Sequence, residues 1–207
     1  MVYCLNEIVL YVYNERQDTE VIKLEGVWDA GYAIHTYNDP REGRTLLGEA
    51  IYRYLYRKQW YLVDSLARWA QWAIQASAKF KDIDLLVPVP ACKPSADNYD
   101  PMSLLVDWTS QLTIIQLATP LARHGLIPEY SGTPLDQTHG GIIVKFPEDV
   151  RGRKVLLIDG IFCSGSTLYL TTNALRSAGA KSISVLAFAK IERQLSDSYD
   201  QQMREKT

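Results

Sequence analysis

The amino-acid sequence predicts an α/β protein in which a parallel sheet is flanked by helices. Short apolar runs that suit buried strands occur at residues 84–87, 121–123, 155–158 and 183–189. They alternate with segments in which apolar residues recur at helical spacing. Strands that alternate with helices along a chain favour a parallel, helix-flanked sheet.

The N-terminal part of the chain has a different pattern. Residues 8–13 and 20–24 are two strand-like runs joined by a polar turn, which predicts a hairpin. A further strand pattern at 28–37 is broken by Asn38, Asp39 and Pro40. We therefore expect residues 1–42 to form a β-rich hood or an extension, and residues 43–207 to form the α/β core.

Three helices are predicted between the N-terminal strands and residue 117, at residues 44–56, 64–80 and 103–117. Asp100 or Ser103 is the expected cap of the third helix. The region around the first helix is rich in aromatic residues, which pack in the core or form a homodimer interface. These residues are Tyr52, Tyr54, Tyr56, Trp60 and Tyr61.

Length and composition limit the class of protein. The 207 residues suit one compact domain with an added subdomain, and the net charge of −2 indicates no overall attraction to nucleic acid. Cys4, Cys92 and Cys163 form no C-x-x-C pair, which favours a reducing compartment. The sequence shows neither a secretion leader nor a long apolar run, so we expect a soluble cytoplasmic protein with no membrane partner.

The polar residues that follow the strand at 155–158 are the main candidates for a functional site. Asp159 comes directly after the strand, and the small residues from Ser164 to Thr167 stand where a helix begins. Backbone N–H groups at a helix start lack partners within the helix and favour an anion such as phosphate. Gly165 allows a close approach or a positive φ. An ordinary Ser/Thr helix cap is the alternative.

The run VLLIDGIFCSGST resembles the signature of type I phosphoribosyltransferases, in which an apolar strand leads to two acidic residues and a phosphate loop. Within that superfamily it is most similar to the competence protein F-like (ComF-like) proteins related to amidophosphoribosyltransferases. The resemblance implies that Asp159 hydrogen-bonds a ribose hydroxyl in catalysis. It also implies a loop for the 5′-phosphate of phosphoribosyl pyrophosphate (PRPP), formed by Cys163, Ser164, Gly165, Ser166 and Thr167. The chain departs from the signature at Gly160, where the second acidic residue is expected.

A second part of the resemblance is the run Pro88-Val89-Pro90 after the strand at 84–87. The resemblance implies that the next residues, Ala91, Cys92 and Lys93, bind the pyrophosphate of the donor. A Pro-rich connection between strand and helix is the alternative. Residues 96–100 are acidic, where ComF-like proteins carry arginines and an R-G-F-N-like run.

The long polar segment at 124–149 corresponds to the flexible loop that closes over the donor in the resembling family. On this interpretation His139, with Lys145, supplies a positive or proton-donating group near the leaving pyrophosphate. A solvated loop histidine is the alternative.

Two functional hypotheses follow. The first is an enzyme that resembles phosphoribosyltransferases and takes PRPP with Mg²⁺. It would transfer ribosyl 5-phosphate to or from a nitrogenous acceptor, with Mg²⁺ held mainly by oxygens of the donor. The second is a catalytically weak or inactive regulatory module that binds a phosphoribosyl compound or nucleotide, because Gly160 removes one carboxylate. A role in DNA handling gains no support from the charge balance.

Overall fold

The computed structural model describes residues 21–39, 41–90, 100–124 and 141–191. The strands in this part of the chain are β1 (Ile22–Lys23), β2 (Ala30–Thr36), β3 (Asn38–Asp39), β4 (Gly43–Arg44), β5 (Leu85–Pro88), β6 (Gln116–Leu117), β7 (Leu121–His124), β8 (Gly141–Val144), β9 (Lys154–Phe162) and β10 (Ser182–Lys190). The helices are α1 (Leu46–Tyr56), α2 (Val63–Ala76), α3 (Pro101–Thr113), α4 (Pro147–Val150) and α5 (Ser166–Ser177), with short 3-10 turns at Trp60–Leu62 and Ala78–Phe80.

A six-stranded sheet in the order β1-β2-β10-β9-β5-β6 forms the centre of the molecule. Neighbouring strands from β2 to β6 pair in parallel, and only β1 runs antiparallel to its neighbour in this sheet. Leu157 of β9 lies between Val87 of β5 and Val185 of β10. The predicted fold class, a parallel sheet flanked by helices, is confirmed.

The two faces of the sheet bury two separate apolar layers. Leu156 and Ile158 of β9 belong to the layer covered by α1, α2 and α3. Val155 and Leu157 belong to the opposite layer, which contains Leu168 of α5. This alternation follows from the period-two geometry of a strand, and it places Gly160 on the same face as Leu156 and Ile158. The alternation ends after Gly160, because Ile161 packs on the first layer and Phe162 on the second.

The described N-terminal residues extend the central sheet. β2 pairs in parallel with β10, and β1 adds to the outer side of β2 through the pairing of Ile22 with Ala33. The sequence predicted a hood or an extension, and β1 and β2 form an extension of the central sheet. The run at 8–13 lies outside the described residues, and the domain division at residue 42 stays a prediction.

The apolar run at 121–123 was wrongly predicted to be a strand of the parallel sheet. β7 pairs antiparallel with β8, and Leu121 lies opposite Val144 in a separate two-stranded ribbon. A short apolar run does not specify its partner strand, because periodicity reports burial and not pairing. The ribbon also means that the predicted long loop at 124–149 contains regular structure, namely β8 and α4.

The third helix is shorter than predicted. α3 begins after its predicted cap Asp100 but ends at Thr113, where Ile114 adopts a left-handed backbone with φ 60°. Ser110 Oγ donates to the carbonyl of Ile115 at 2.6 Å and closes the turn. Residues 116–117 then form β6 beside β5, so a strand replaces the last predicted helical turn.

The aromatic residues around α1 divide between core and surface. Tyr54 is fully buried and donates a hydrogen bond from its hydroxyl to the carbonyl of Pro101 at 2.8 Å. Trp60 packs edge-on against Tyr54, with ring centroids 5.6 Å apart. Tyr56 and Tyr61 are instead 60% and 55% exposed. Core packing therefore accounts for part of this group, and the homodimer interface stays a prediction.

Candidate phosphate-binding site

The candidate site begins on β9, which is longer than the predicted strand at 155–158. The strand continues through Asp159 and Gly160 to Phe162, and Asp159 pairs with Ala187 of β10. Asp159 is half-buried, and its Oδ1 accepts a hydrogen bond from the backbone N–H of Gly160 at 2.8 Å. The carboxylate is thus held by a well-ordered strand near the carboxyl edge of the sheet, where ligands bind in open parallel sheets.

Gly160 lies on the other face of β9 and is buried beneath α1 and α3. A Cβ atom at this position would lie 2.6 Å from Cδ1 of Leu55 and 3.5 Å from Sδ of Met102. A side chain there would enter the apolar layer, so an aspartate at 160 would carry its carboxylate away from the face of Asp159. Packing at position 160 therefore favours a residue without a side chain.

The loop after β9 exposes its polar residues. Cys163 and Ser164 are exposed, and Gly165 is the N-cap of α5 with φ 76° and ψ 1°. Oγ of Ser164 lies 2.9 Å from Oγ of Ser166. The backbone N–H of Ser166 reaches Ser164 Oγ only at 3.4 Å, beyond the usual range of a strong hydrogen bond.

The start of α5 leaves its N–H groups open to an outside partner. In the described structure no side chain caps this helix, since Gly165 has none to offer. The first hydrogen bond of the helix runs from Tyr169 N to the Gly165 carbonyl at 2.8 Å. The preceding N–H groups have no partner within the helix and point out of its positive end. The structure brings together the predicted loop residues at one helix start, directly beyond the strand that carries Asp159.

The other predicted site residues lie mostly outside the described residues. Ala91, Cys92 and Lys93 are in this group, as is His139. Ala91, Cys92 and Lys93 follow Pro90 in the sequence. Just before them, the backbone N–H of Val89 donates to the carbonyl of Ile158 at 3.0 Å, and Ile158 is the residue before Asp159. Lys145 is described and exposed, and its backbone N–H donates to the carbonyl of Pro120 at 2.7 Å. Of the described candidates, the structure thus groups Asp159 with the loop from Cys163 to Thr167.

Two residues of this region were missed from the sequence, Trp28 and Phe162. Their rings pack edge-to-face beneath the loop, with centroids 6.2 Å apart. The only local signal is the pair of glycines, Gly26 and Gly31, that flank Trp28 at short distances in the chain. The positions of these glycines in the sequence do not by themselves show that they accommodate an indole ring.

The described residues contain no cluster of three or more His, Cys, Asp or Glu side chains placed to hold a metal ion. Among the same residues, no helix has the length and apolar character needed to cross a bilayer.

Comparisons with known proteins give similarity at the level of solved structures. No protein-family model matches the chain, and no curated protein matches it. The PRPP amidotransferase of B. subtilis, solved with ADP and GMP, is similar with 16% identity and a TM-score of 0.49 over 66% of this chain and 30% of that chain. The adenine phosphoribosyltransferase of Giardia lamblia, solved with 9-deazaadenine, is similar with 13% identity and a TM-score of 0.48 over 92% and 91%.

A structure described as the allosteric regulatory enzyme of purine biosynthesis is also similar, with 17% identity and a TM-score of 0.47. This chain spans only 30% of the length of that protein and of the B. subtilis amidotransferase. Solved structures that are similar to the chain thus include a phosphoribosyltransferase and a PRPP amidotransferase.

Proposed function

We propose that this protein is phosphoribosyltransferase-like: it binds PRPP with Mg²⁺ and transfers ribosyl 5-phosphate to or from a nitrogenous acceptor. The observation that carries the proposal is the start of α5, where Gly165 supplies no capping side chain directly beyond the strand of Asp159. A phosphate group would satisfy the open N–H groups that the helix itself leaves without partners.

In this proposal the loop from Cys163 to Thr167 binds the 5′-phosphate. The left-handed conformation of Gly165 turns the chain so that N–H groups and hydroxyls converge on one side. Ser164 and Ser166 already lie within hydrogen-bonding distance of each other, so one phosphate oxygen can reach both hydroxyls. Charge-assisted hydrogen bonds of this kind are among the stronger ones in proteins.

The remaining groups have roles that complete the donor site. Asp159 accepts a hydrogen bond from a ribose hydroxyl and favours positive charge as it develops at the anomeric carbon. Ala91, Cys92 and Lys93 bind the pyrophosphate, and His139 supplies a positive or proton-donating group to it. All of these roles come from the sequence resemblance, and that of Asp159 is also supported by its position on β9.

Mg²⁺ fits the residues of this site if oxygens of PRPP supply most of its ligands. The site region offers Asp159 as a carboxylate, whereas the described residues contain no dedicated metal cluster. Magnesium commonly uses one or two protein carboxylates together with phosphate oxygens and waters. When bound, the ion would neutralise part of the negative charge on the pyrophosphate.

The reaction requires little covalent chemistry from the protein. The bond between the anomeric carbon and pyrophosphate breaks, and its electron pair leaves on the pyrophosphate oxygen. A nitrogen lone pair of the acceptor forms the new bond, and the nitrogen then loses a proton. The protein positions the two reactants and stabilises the charge that moves between them.

A regulatory module that binds a phosphoribosyl compound without turnover is the second candidate. The observation that favours it is Gly160, where a side chain would meet Cδ1 of Leu55 at 2.6 Å and would lie on the face of β9 away from Asp159. Under either function we place the protein in the cytoplasm, and we propose the exposed Tyr56 and Tyr61 as part of a homodimer contact.

Isothermal titration with PRPP and MgCl₂ tests the proposal, with ribose 5-phosphate and pyrophosphate as separate partial ligands. Binding of PRPP and of ribose 5-phosphate is expected. A second assay measures pyrophosphate release with a panel of nucleobases and amines. Turnover supports the transferase, binding without release supports the regulatory module, and no binding at millimolar PRPP contradicts both.

A further inference from the structure

Trp28 lies buried between the N-terminal extension and the candidate phosphate loop. Its side chain is only 9% exposed, and its indole N–H donates to the carbonyl of Leu24 at 2.9 Å. The residues on either side of it are also held. The Val27 carbonyl accepts a hydrogen bond from Arg176 of α5 at 2.9 Å, and Asp29 exchanges two hydrogen bonds with Ile183 of β10. Trp28 is therefore fixed at both its backbone and its ring.

Two glycines make room for the indole ring. A Cβ atom at Gly26 would lie 2.2 Å from Cη2 of Trp28, and one at Gly31 would lie 2.2 Å from its Nε1. Ordinary Cβ atoms do not approach rings this closely, so both positions require glycine while the indole occupies this place. Two glycines of the N-terminal extension are thus matched to the position of one indole ring.

The other side of the ring faces the loop. Trp28 packs against Phe162 edge-to-face, at 89° between ring planes. The Phe162 ring lies 3.1 Å from the place of a Cβ at Gly165, and Cη2 of Trp28 lies 3.7 Å from the same place. Together the two rings form the surface on which the backbone of Gly165 rests.

We infer that Trp28 is a positioning residue for phosphate binding, acting through Phe162 on Gly165. The two rings support the left-handed turn at Gly165, and this turn directs the N–H groups of Ser166 and Thr167 outward. This inference rests on the proposed function of the loop. A loop that is already ordered before binding loses less conformational entropy on binding, so the aromatic pair raises affinity without touching the ligand.

The test compares Trp28→Leu and Phe162→Leu with Trp28→Phe and a matched control. The control is Phe80→Leu, because Phe80 is fully buried and makes an edge-to-face contact with Tyr32 at 5.6 Å in the opposite apolar layer. For each variant, titration gives the Kd for ribose 5-phosphate and for PRPP with MgCl₂. Hydrogen exchange reports the Ser166 to Leu168 amides in the ligand-free protein, and thermal unfolding reports stability.

We expect Trp28→Leu and Phe162→Leu to raise both Kd values by about tenfold or more, and to speed exchange at the three amides. Trp28→Phe keeps an edge-to-face contact and should retain most of the affinity. Phe80→Leu should lower the unfolding temperature while its Kd values and loop exchange stay like those of the wild type. Phe162→Leu replaces a half-buried side chain at a strand end, so it remains testable should Trp28→Leu fail to fold.

Two results would overturn the inference. One is unchanged Kd values and loop exchange in Phe162→Leu, and the other is an equal loss of binding in Phe80→Leu. A wild-type protein that binds neither probe contradicts the proposed function, and the loop amides then decide whether the rings order the loop at all. If hydrogen exchange at the loop amides is then also unchanged in Trp28→Leu and Phe162→Leu, the two rings do not position the loop.

Discussion

Three helices in the described part of this protein begin beyond the carboxyl ends of parallel strands, and they begin in two different ways. Thr45 caps α1, where its Oγ1 accepts from Gly48 N at 3.0 Å and donates to the Thr36 carbonyl at 2.7 Å. Asp100 caps α3 by accepting from Met102 N at 3.1 Å. Gly165 begins α5 with no side-chain cap among the residues that the structure describes.

The difference separates two helix starts that side chains cap from one whose first N–H groups are open to a ligand. A polar side chain of the chain itself binds one of the first N–H groups of α1 and one of α3, which stabilises the fold. The equivalent groups of α5 remain available, and the nearest hydroxyls belong to the same exposed loop. An anion can therefore take at α5 the place that a side chain takes at α1 and α3.

The variant with the largest expected effect tests whether position 160 of β9 is buried in the apolar layer or faces the candidate ligand site. Gly160→Asp should lower the free energy of unfolding by about 3 kcal/mol or more, because its carboxylate would be buried against Leu55 and Met102. Urea unfolding at neutral pH measures this loss, and Gly160→Ala separates the steric part from the charge. Wild-type stability in the aspartate variant would show that position 160 faces the ligand side.

Closing the open helix start gives the next largest effect. Gly165→Asp would place a carboxylate at the start of α5, where its charge would repel a phosphate, and its Cβ would also press on the Phe162 ring from a left-handed backbone. We expect the Kd for ribose 5-phosphate to rise by more than about a hundredfold, which corresponds to about 2.7 kcal/mol. Gly165→Asn is the uncharged match and should lose less. Equal binding in the aspartate variant and the wild type would place the anion elsewhere.

Removing one hydroxyl from the loop should have a smaller effect. Thr167→Ala is expected to weaken PRPP affinity by about 1–3 kcal/mol if its hydroxyl meets the 5′-phosphate. Ser177→Ala, at the exposed other end of α5, is the control and should bind like the wild type. Titration of both variants with PRPP and MgCl₂ measures the difference, and identical affinities would argue against a contact by Thr167.

At the capped helix start, the effect should fall on stability alone. Thr45→Ala is expected to lower the free energy of unfolding by about 1 kcal/mol, the usual contribution of an N-cap. Its Kd for ribose 5-phosphate should stay within about twofold of the wild-type value. Parallel unfolding and titration experiments check both. A marked loss of binding would mean that the start of α1 also contributes to the ligand site.

The smallest effect concerns pH. Burial raises the pKa of Glu49, but hydrogen bonds from Arg53 and Arg44, both at 2.6 Å, outweigh it and hold the pKa below its usual value. The ionised form therefore stabilises α1 above the unfolded pKa of about 4.3, and this contribution disappears as pH falls through the folded pKa. Glu49→Gln should cost under about 1 kcal/mol near neutral pH and nothing at low pH. A pH-independent difference would contradict this origin.

The parts of the fold that sequence predicted well are those decided by local pattern. The runs at 155–158 and 183–189 were found because buried parallel strands are continuously apolar. The second predicted helix was found because its apolar residues recur every three or four positions, although Ser77 ends α2 and starts a 3-10 turn. The cap at Asp100 was also correct.

The sequence failed where a residue's partner lies far away in the chain. The partner of β7 is β8, across a long polar segment, and local pattern carries no information on that pairing. The sequence shows that Gly160 replaces a second acidic residue, but it does not show that Leu55 occupies the space beside it. Trp28 was missed because its contact partner, Phe162, lies far from it in the sequence.

For this protein, the sequence by itself determined the class of fold and the polar groups that the loop from Cys163 to Thr167 presents. Both depend on neighbouring residues, through the apolar content of strands and through the hydroxyls and glycine at one helix start. Only the tertiary structure decided that Asp159 and Gly160 lie on opposite faces, and that two aromatic rings support Gly165. These features depend on packing between distant segments, which no local pattern encodes.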